Sequence, residues 1–315
     1  MVAQQLAALD RTLKIEFRWI ESEGDQKADG PLADAGGKGL FVRAIEQAIL
    51  SGQADLAVHS LKDLPVTMTP GLTLAAIGRR ADVRDCLVSS AGWSTLDQIP
   101  PGARLGTASP RRAAQLLNRR PDLQIQLLRG NVETRLRKVL EEKTVEATLM
   151  AVAGLVRSGH AEHAAHPLDP AVILPPAGQG CLALQCALDD HVTLRRTMPL
   201  NDPLAGTVVH AERQFVAGLG GDCHAALAVL VEAVDVAGTD RASASRQDRG
   251  TPHYRLRGRV LSPDGRRVLE VDEIAAIRHV GKMVKRAVAD LKERGALDLL
   301  ATGKSAAAPA AHPSL

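Results

Sequence analysis

Asp63 is the carboxylate that the sequence sets among cations able to hold an anion: Lys38, Lys62, Arg111, Arg112, Arg129, Arg135 and Arg157. A carboxylate stabilises a developing positive charge and can pass a proton, so Asp63 is the candidate acid/base group. The competing reading pairs it with a neighbouring lysine or uses it to cap a turn. So many cations call for a ligand with several negative charges. Between Arg104 and Lys138 stand eight arginines and one lysine, against two acids, Asp122 and Glu133. The planar guanidinium fork meets two carboxylate or phosphate oxygens at once, which an ammonium group does not. Arg119, Arg120 and Arg137 read instead as a solvated helix face.

Other reactive residues give weaker patterns. The loop Gly36-Gly37-Lys38-Gly39 is glycine-rich but lacks the spacing and the Lys-Ser/Thr ending of a nucleotide-binding P-loop. His160, His163 and His166 recur every third residue and would gather if helical, but their stretch is Ala-rich and ends at Pro167, so no metal is assigned to them. Cys223, between Asp222 and His224 on a glycine-rich turn, has the most loop-like setting of the four cysteines. It reads either as a nucleophile or as a tethering thiol, and the motifs of thiol proteases are absent. With 2% aromatic residues and arginines tied to helix starts, nucleic-acid binding ranks low.

The elements that must position these groups follow α/β grammar. An apolar pattern at Val2, Leu6 and Leu9 predicts a short helix, and the alternation from Leu13 to Ile20 predicts a half-buried strand. A helix follows the glycine loop from Leu40 to Ile49, and a buried strand from Asp55 to Ser60 delivers Lys62 and Asp63 at its carboxyl end. Ser109 and Pro110 read as N-cap and first residue of a helix carrying Arg111 and Arg112 in its first turn. A strand from Leu123 to Leu128 leads through Arg129 to a second helix capped by Asn131. Both helix starts lie beside arginines, where free N–H groups and the helix dipole also favour anions. Further strands are predicted from Ala147 to Leu155 and from Cys181 to Leu188, the second after the Pro175–Gly180 cluster. A helix over 208–219, strands turning at Pro263-Asp264-Gly265 and a helix over 280–293 complete the chain before an Ala-, Pro- and Ser-rich tail from 301, expected to be disordered.

A chain of 315 residues, 45% hydrophobic and 24% charged, is that of a folded protein of two or three domains. It shows no apolar run long enough to span a membrane and no secretory leader, so a cytoplasmic location is expected, with free thiols. A net charge of +3 by itself implies no polyanionic partner.

Seven segments occur in order: GGKGLF (36–41), ADLAVHSLKDLP (54–65), GTASPRR (106–112), LRGNVETRL (128–136), AVAGL (151–155), GQG (178–180) and GGDCHA (220–225). With them the chain resembles the hydroxymethylbilane synthases, also called porphobilinogen deaminases, over nearly its whole length. The resemblance implies an α/β fold of three domains: two like periplasmic binding proteins around a cleft, and a smaller α+β domain bearing the cofactor cysteine. The boundaries expected are 1–80 with 178–198, then 81–177, then 199–300, with 301–315 as tail. It implies the transferase reaction that condenses four porphobilinogen molecules head to tail, losing ammonia each time. The product is hydroxymethylbilane, an intermediate of haem and other tetrapyrroles.

The implied cofactor is dipyrromethane, held by a thioether to Cys223. Asp63 matches the catalytic aspartate. Lys62, Ser109, Arg111, Arg112 and Arg129 match cofactor-binding positions, and Arg135, Arg157, Lys38, Asp25 and Phe41 match positions near substrate. Porphobilinogen is the implied partner, with no metal, nucleic acid or membrane, and the chain is expected to be a monomer. Two departures stand out. The family's opening strand and its Arg-x-x-x-Arg-x-Ser-x-Leu-Ala loop are not found, since the resemblance starts in the following helix. In addition, 238–252 reads as an insertion. The alternative reading is therefore a binding-only relic that keeps the anion-binding residues without turnover.

Overall fold

The computed structural model describes residues 1–20, 40–221, 225–235 and 251–306. Two compact units divide them: Met1–Val83 with Gly178–Thr207, and Arg84–Ala177 with Val208–Leu315.

In the first unit, helix α1 (Val2–Leu9) and helix α2 (Leu40–Leu50) lie on the chain before strand β1 (Ala57–Ser60) and strand β2 (Leu72–Ile77). Strand β7 (Leu182–Ala187), reached after the excursion through the second unit, pairs antiparallel with both and completes the order β1-β7-β2. Ile49 of α2 packs on Ala57 and Leu72, which covers one face of this sheet. The strand expected over 13–20 does not form, and Phe17 and Trp19 are 72% and 91% exposed. Alternation makes a strand only where a neighbour supplies the ladder, and no described strand pairs with this segment.

The second unit holds a four-stranded sheet of order β3-β6-β4-β5, made of β3 (Asp85–Ser89), β4 (Arg104–Gly106), β5 (Gln124–Gln126) and β6 (Ala147–Ala151). Strand β4 is parallel to both β5 and β6, while β3 runs antiparallel to β6. Alternate residues of β6 feed different cores: Ala147 and Leu149 join Leu87 and Leu105, whereas Met150 joins Cys86 and Val88. The sheet is therefore covered on both sides, as period-two side chains require. The strand read as far as Leu155 stops at Ala151. Its ladder with β3 ends at the Asp85–Ala151 pair, and Val152–Arg157 turns into a helix, α5, burying Val152, Ala153 and Leu155.

The same unit contains an antiparallel sheet of β8 (Leu227–Val234), β9 (His253–Leu261) and β10 (Val268–Ala276), with β9 in the centre and the expected turn at Pro263–Gly265. Helix α7 (Pro203–Gly218) follows α6 (His191–Thr197), and its buried Glu212 accepts a hydrogen bond from Val231 N at 2.8 Å. Phe215 of α7 lies so close to the β9 backbone that a Cβ on Gly258 would sit 2.4 Å from its ring. Helix α8 (Val280–Glu293) packs Met283, Ala287 and Leu291 inward. Of the tail expected to be disordered from 301, residues 301–306 continue helix α9 (Ala296–Ala306), and 307–315 lie outside the described residues.

Gly258→Ala is expected to lower stability by about 1–3 kcal/mol through overpacking. Gly206→Ala, where a new methyl meets nothing within 4 Å on helix α7, is expected to raise it by about 0.5–1 kcal/mol. Urea unfolding of the two variants checks the contrast.

Candidate active site

The carboxyl ends of the parallel strands β4, β5 and β6 lead into three helices that carry the sequence-predicted arginines. After β4 the chain caps helix α3 (Pro110–Arg119) with Ser109, whose Oγ accepts from Arg112 N at 3.4 Å. After β5 it passes Arg129 and enters helix α4 (Val132–Leu140), capped by Asn131 Oδ1 on Thr134 N at 2.9 Å. Arg135 folds back along that helix start and donates from Nε to Gly130 O at 2.7 Å. After β6 comes α5, which ends at Arg157. Ser109, Arg129, Arg135 and Arg157 are all partly accessible. Residues just beyond the carboxyl ends of parallel strands are where α/β folds place ligands.

Arg111 and Arg112 behave differently from that group, being 4% and 5% exposed. Both point their guanidinium groups at the carboxylate of Asp85, which opens β3 and is fully buried. Arg111 Nη2 donates to Oδ2 at 2.6 Å, while Arg112 donates from Nη2 to Oδ1 at 2.7 Å and from Nε to Oδ2 at 3.1 Å. Arg111 Nη1 also donates to Leu174 O at 2.6 Å. Burial alone would raise the Asp85 pKa, but the charges of Arg111 and Arg112 and their hydrogen bonds outweigh it and hold the carboxyl well below the usual range. Two cations thus share one carboxylate at the start of α3.

Arg119, Arg120 and Arg137 were expected on a solvated face, and Arg120 departs from that. It donates to Leu96 O and Ile99 O at 2.7 and 2.9 Å and pairs with Asp122, so it ties a loop rather than facing water.

In the first unit, the single helical turn Leu61–Asp63 follows β1 directly. Asp63 is exposed, whereas Lys62 is half-buried and donates from Nζ to Gln179 Oε1 at 3.3 Å. Gln179 is itself buried: its Nε2 donates to Val83 O at 2.7 Å, and its carbonyl accepts from Arg80 Nε at 3.0 Å. Gly180 takes φ +89°, and a Cβ there would lie 2.6 Å from Ala81 O, so the turn behind Lys62 admits no side chain. Beneath the turn, His59 Nε2 meets Gln185 Oε1 at 2.9 Å, and Gln185 Nε2 donates to Glu46 Oε1 at 2.8 Å. Burial pushes the His59 imidazole below its usual value. The Gln185 bond and the Glu46 and Asp63 carboxylates act the other way.

Asp25, Lys38 and Cys223 lie outside the described residues, and of Phe41 only the backbone, in α2, is described. Asp85 and Gln179 are the residues that sequence reasoning passed over. Asp85 had a signal, a carboxylate opening the otherwise apolar run Cys86-Leu87-Val88. Gln179 stood in a quoted motif, but its contact with Lys62 joins residues 117 apart.

Helix starts and arginines gathered on one sheet edge fit a group that carries several carboxylates, as a dipyrromethane with its acetate and propionate arms does. Residues 1–195 match the family model described as porphobilinogen deaminase, dipyromethane cofactor binding domain, which makes the chain a cofactor-carrying transferase of the tetrapyrrole class. Porphobilinogen deaminase of Syntrophotalea carbinolica is 49% identical over 72% of this chain and 71% of its own length. Those of Legionella pneumophila (strain Paris) and Bacillus velezensis are 38% and 39% identical over 92% and 95% of this chain, and 88% and 90% of theirs. The chain belongs to the porphobilinogen deaminase family. Among solved structures, the second substrate binding domain of a putative amino acid ABC transporter from Streptococcus pneumoniae overlaps loosely, at TM-score 0.36 and 15% identity, over 69% of this chain and 85% of that one. Among the described residues, no helix is long and apolar enough to cross a membrane.

Asp85→Ala is expected to destabilise the protein by about 3–5 kcal/mol at neutral pH, because two buried cations lose their counter-ion. Since the folded-state pKa of Asp85 lies below the unfolded value of about 3.9, its contribution is full above that pH and fades as pH falls further. Denaturant midpoints of wild type and variant should therefore converge below about pH 4, and equal midpoints at pH 7 would sink the role given to the pair.

Proposed function

We propose that in the porphobilinogen deaminase reaction Asp63 handles the positive charge and the arginines around α3, α4 and α5 hold the carboxylates of the pyrroles. The observation that carries this reading is the convergence of Ser109, Arg129, Arg135 and Arg157 on the carboxyl edge of one parallel sheet, with Arg111 and Arg112 anchored beneath. Every pyrrole brings an acetate and a propionate, so each condensation adds two negative charges for these side chains to meet. Half-accessible arginines, of which Arg135 is anchored on Gly130 O, can do so bidentately.

When bound, dipyrromethane supplies the pyrrole end to which porphobilinogen units are joined, and Cys223 would hold it through its sulfur. The chain's own residues do the rest. Porphobilinogen loses its aminomethyl nitrogen as ammonia, which leaves a methylene carbon conjugated to a positively charged pyrrole. The Asp63 side chain at the pyrrole N–H stabilises that charge while the C–N bond breaks and the new C–C bond forms, and it can take the ring proton released afterwards. Lys62, steadied by Gln179, places a second cation one residue away for a carboxylate of cofactor or substrate. Arg111 and Arg112, bonded to their shared Asp85, contribute the rigidity they give to the α3 start. The three-domain division, with 199–300 as a separate cofactor-cysteine domain, belongs to the same proposal.

The assignment is tested by intact mass before and after adding porphobilinogen. Wild type should carry the mass of a dipyrromethane and then a ladder of added pyrroles, while Cys223→Ser should carry neither. Asp63→Asn should keep the cofactor mass and lose turnover by about 10²-fold or more; unchanged turnover would remove Asp63 from the chemistry. Arg129→Ala should shift the ladder toward short species, and a ladder like that of wild type would contradict its role in holding carboxylates.

A further inference from the structure

We propose that His160, Glu162 and His163 form a surface site for one divalent transition-metal ion of the zinc type, which braces the segment packed on β3. The three residues sit on the single-turn helix Ala161–Ala164 and its N-cap. A helix with three residues per turn stacks positions i and i+3, so His160 and His163 share a face, and their ring centroids are 6.3 Å apart. Glu162 Oε1 lies 3.6 Å from His160 Nδ1 and 3.5 Å from His163 Nε2, and the three donor atoms all fall within 4.8 Å of one another. Bonds of about 2.0–2.1 Å around a tetrahedral ion separate its ligand atoms by about 3.3–3.4 Å. Two of the three edges are thus already close to the right length, and a small turn of one imidazole sets the third.

The donor set chooses the ion. Two imidazoles and one carboxylate suit zinc, cobalt, nickel or copper, whereas magnesium and calcium take sets made of oxygen. Three protein donors leave a fourth position for water. The segment is anchored before any ion arrives, since His163 N donates to His160 O at 3.1 Å and Leu87 N donates to His166 O at 3.1 Å. Leu168 N donates to Asp85 O at 2.8 Å, and the Cys86 thiol reaches His163 O at 3.8 Å. An ion held here stiffens a turn whose segment is already hydrogen-bonded to β3, the strand opened by Asp85. Its effect is on stability, because none of the three ligands belongs to the residues assigned to the reaction. A bare His–Glu contact at the surface would be worth little and would show no metal selectivity.

The test uses the full chain, without an affinity tag and stripped by a chelator, titrated with zinc chloride or magnesium chloride by calorimetry and followed by thermal melting. One equivalent of zinc should bind and raise the melting temperature, with no effect of magnesium. His160→Ala and His163→Ala should each weaken zinc binding more than about tenfold, the loss that even an outer-shell partner can cause, while His166→Ala leaves it unchanged. Zinc that binds equally well to the His160→Ala/His163→Ala double variant is held elsewhere and overturns the site. Absence of zinc binding to the wild-type chain also overturns it.

Discussion

One fully buried carboxylate facing two buried guanidinium groups governs the second unit. Asp85 has no contact with water, so its charge is tolerable only because Arg111 and Arg112 surround both oxygens. The same contact fixes where helix α3 begins relative to strand β3, two elements separated by twenty residues.

The cluster works because the layers around it are rigid. Gln115 on α3 accepts from Leu174 N at 2.8 Å and from Arg259 Nη1 at 2.8 Å, so the arginine helix is tied both to its own sheet's connection and to strand β9. Asn118 adds a bond to Gly265 O at 2.8 Å at the β9–β10 turn. A helix held along one side keeps its first turn in place, and the first turn is where Ser109, Arg111 and Arg112 stand. The first unit uses the same device on a smaller scale. Gln179, buried between two glycines of positive φ, holds Lys62 while its backbone clasps Arg80. Beside it, the chain His59, Gln185 and Glu46 satisfies polar groups inside the β1-β7 pair that would otherwise be costly to bury.

The accessible arginines differ from the buried pair in what they can contribute. Arg129, Arg135 and Arg157 keep surface open to a ligand, whereas Arg111 and Arg112 give most of their donors to the protein. Fixed charge that never moves and side chains with open surface are two different uses of one residue type. Arginine rather than lysine serves each purpose, because its fork can be spent on two partners at once.

Much of this was legible from local chemistry. Ser109 before Pro110, and Asn131 before an apolar stripe, announce helix starts through capping groups that lie within three residues of their partners. The ordered motifs identified the family. Readings failed where the deciding partner was distant in sequence. Alternation from Leu13 to Ile20 resembles a strand, but a strand exists only with a neighbour to complete its ladder. The apolar run through Leu155 satisfies a strand or a helix equally, and the end of the β3 ladder at Ala151 decides between them. The sequence by itself determined the capped helices, the family and the excess of cationic side chains, all of which rest on residue type and short spacing. Only the tertiary structure decided that Asp85 pairs with two of those cations and that Gln179 steadies Lys62, because both depend on side chains that meet across many residues of intervening chain.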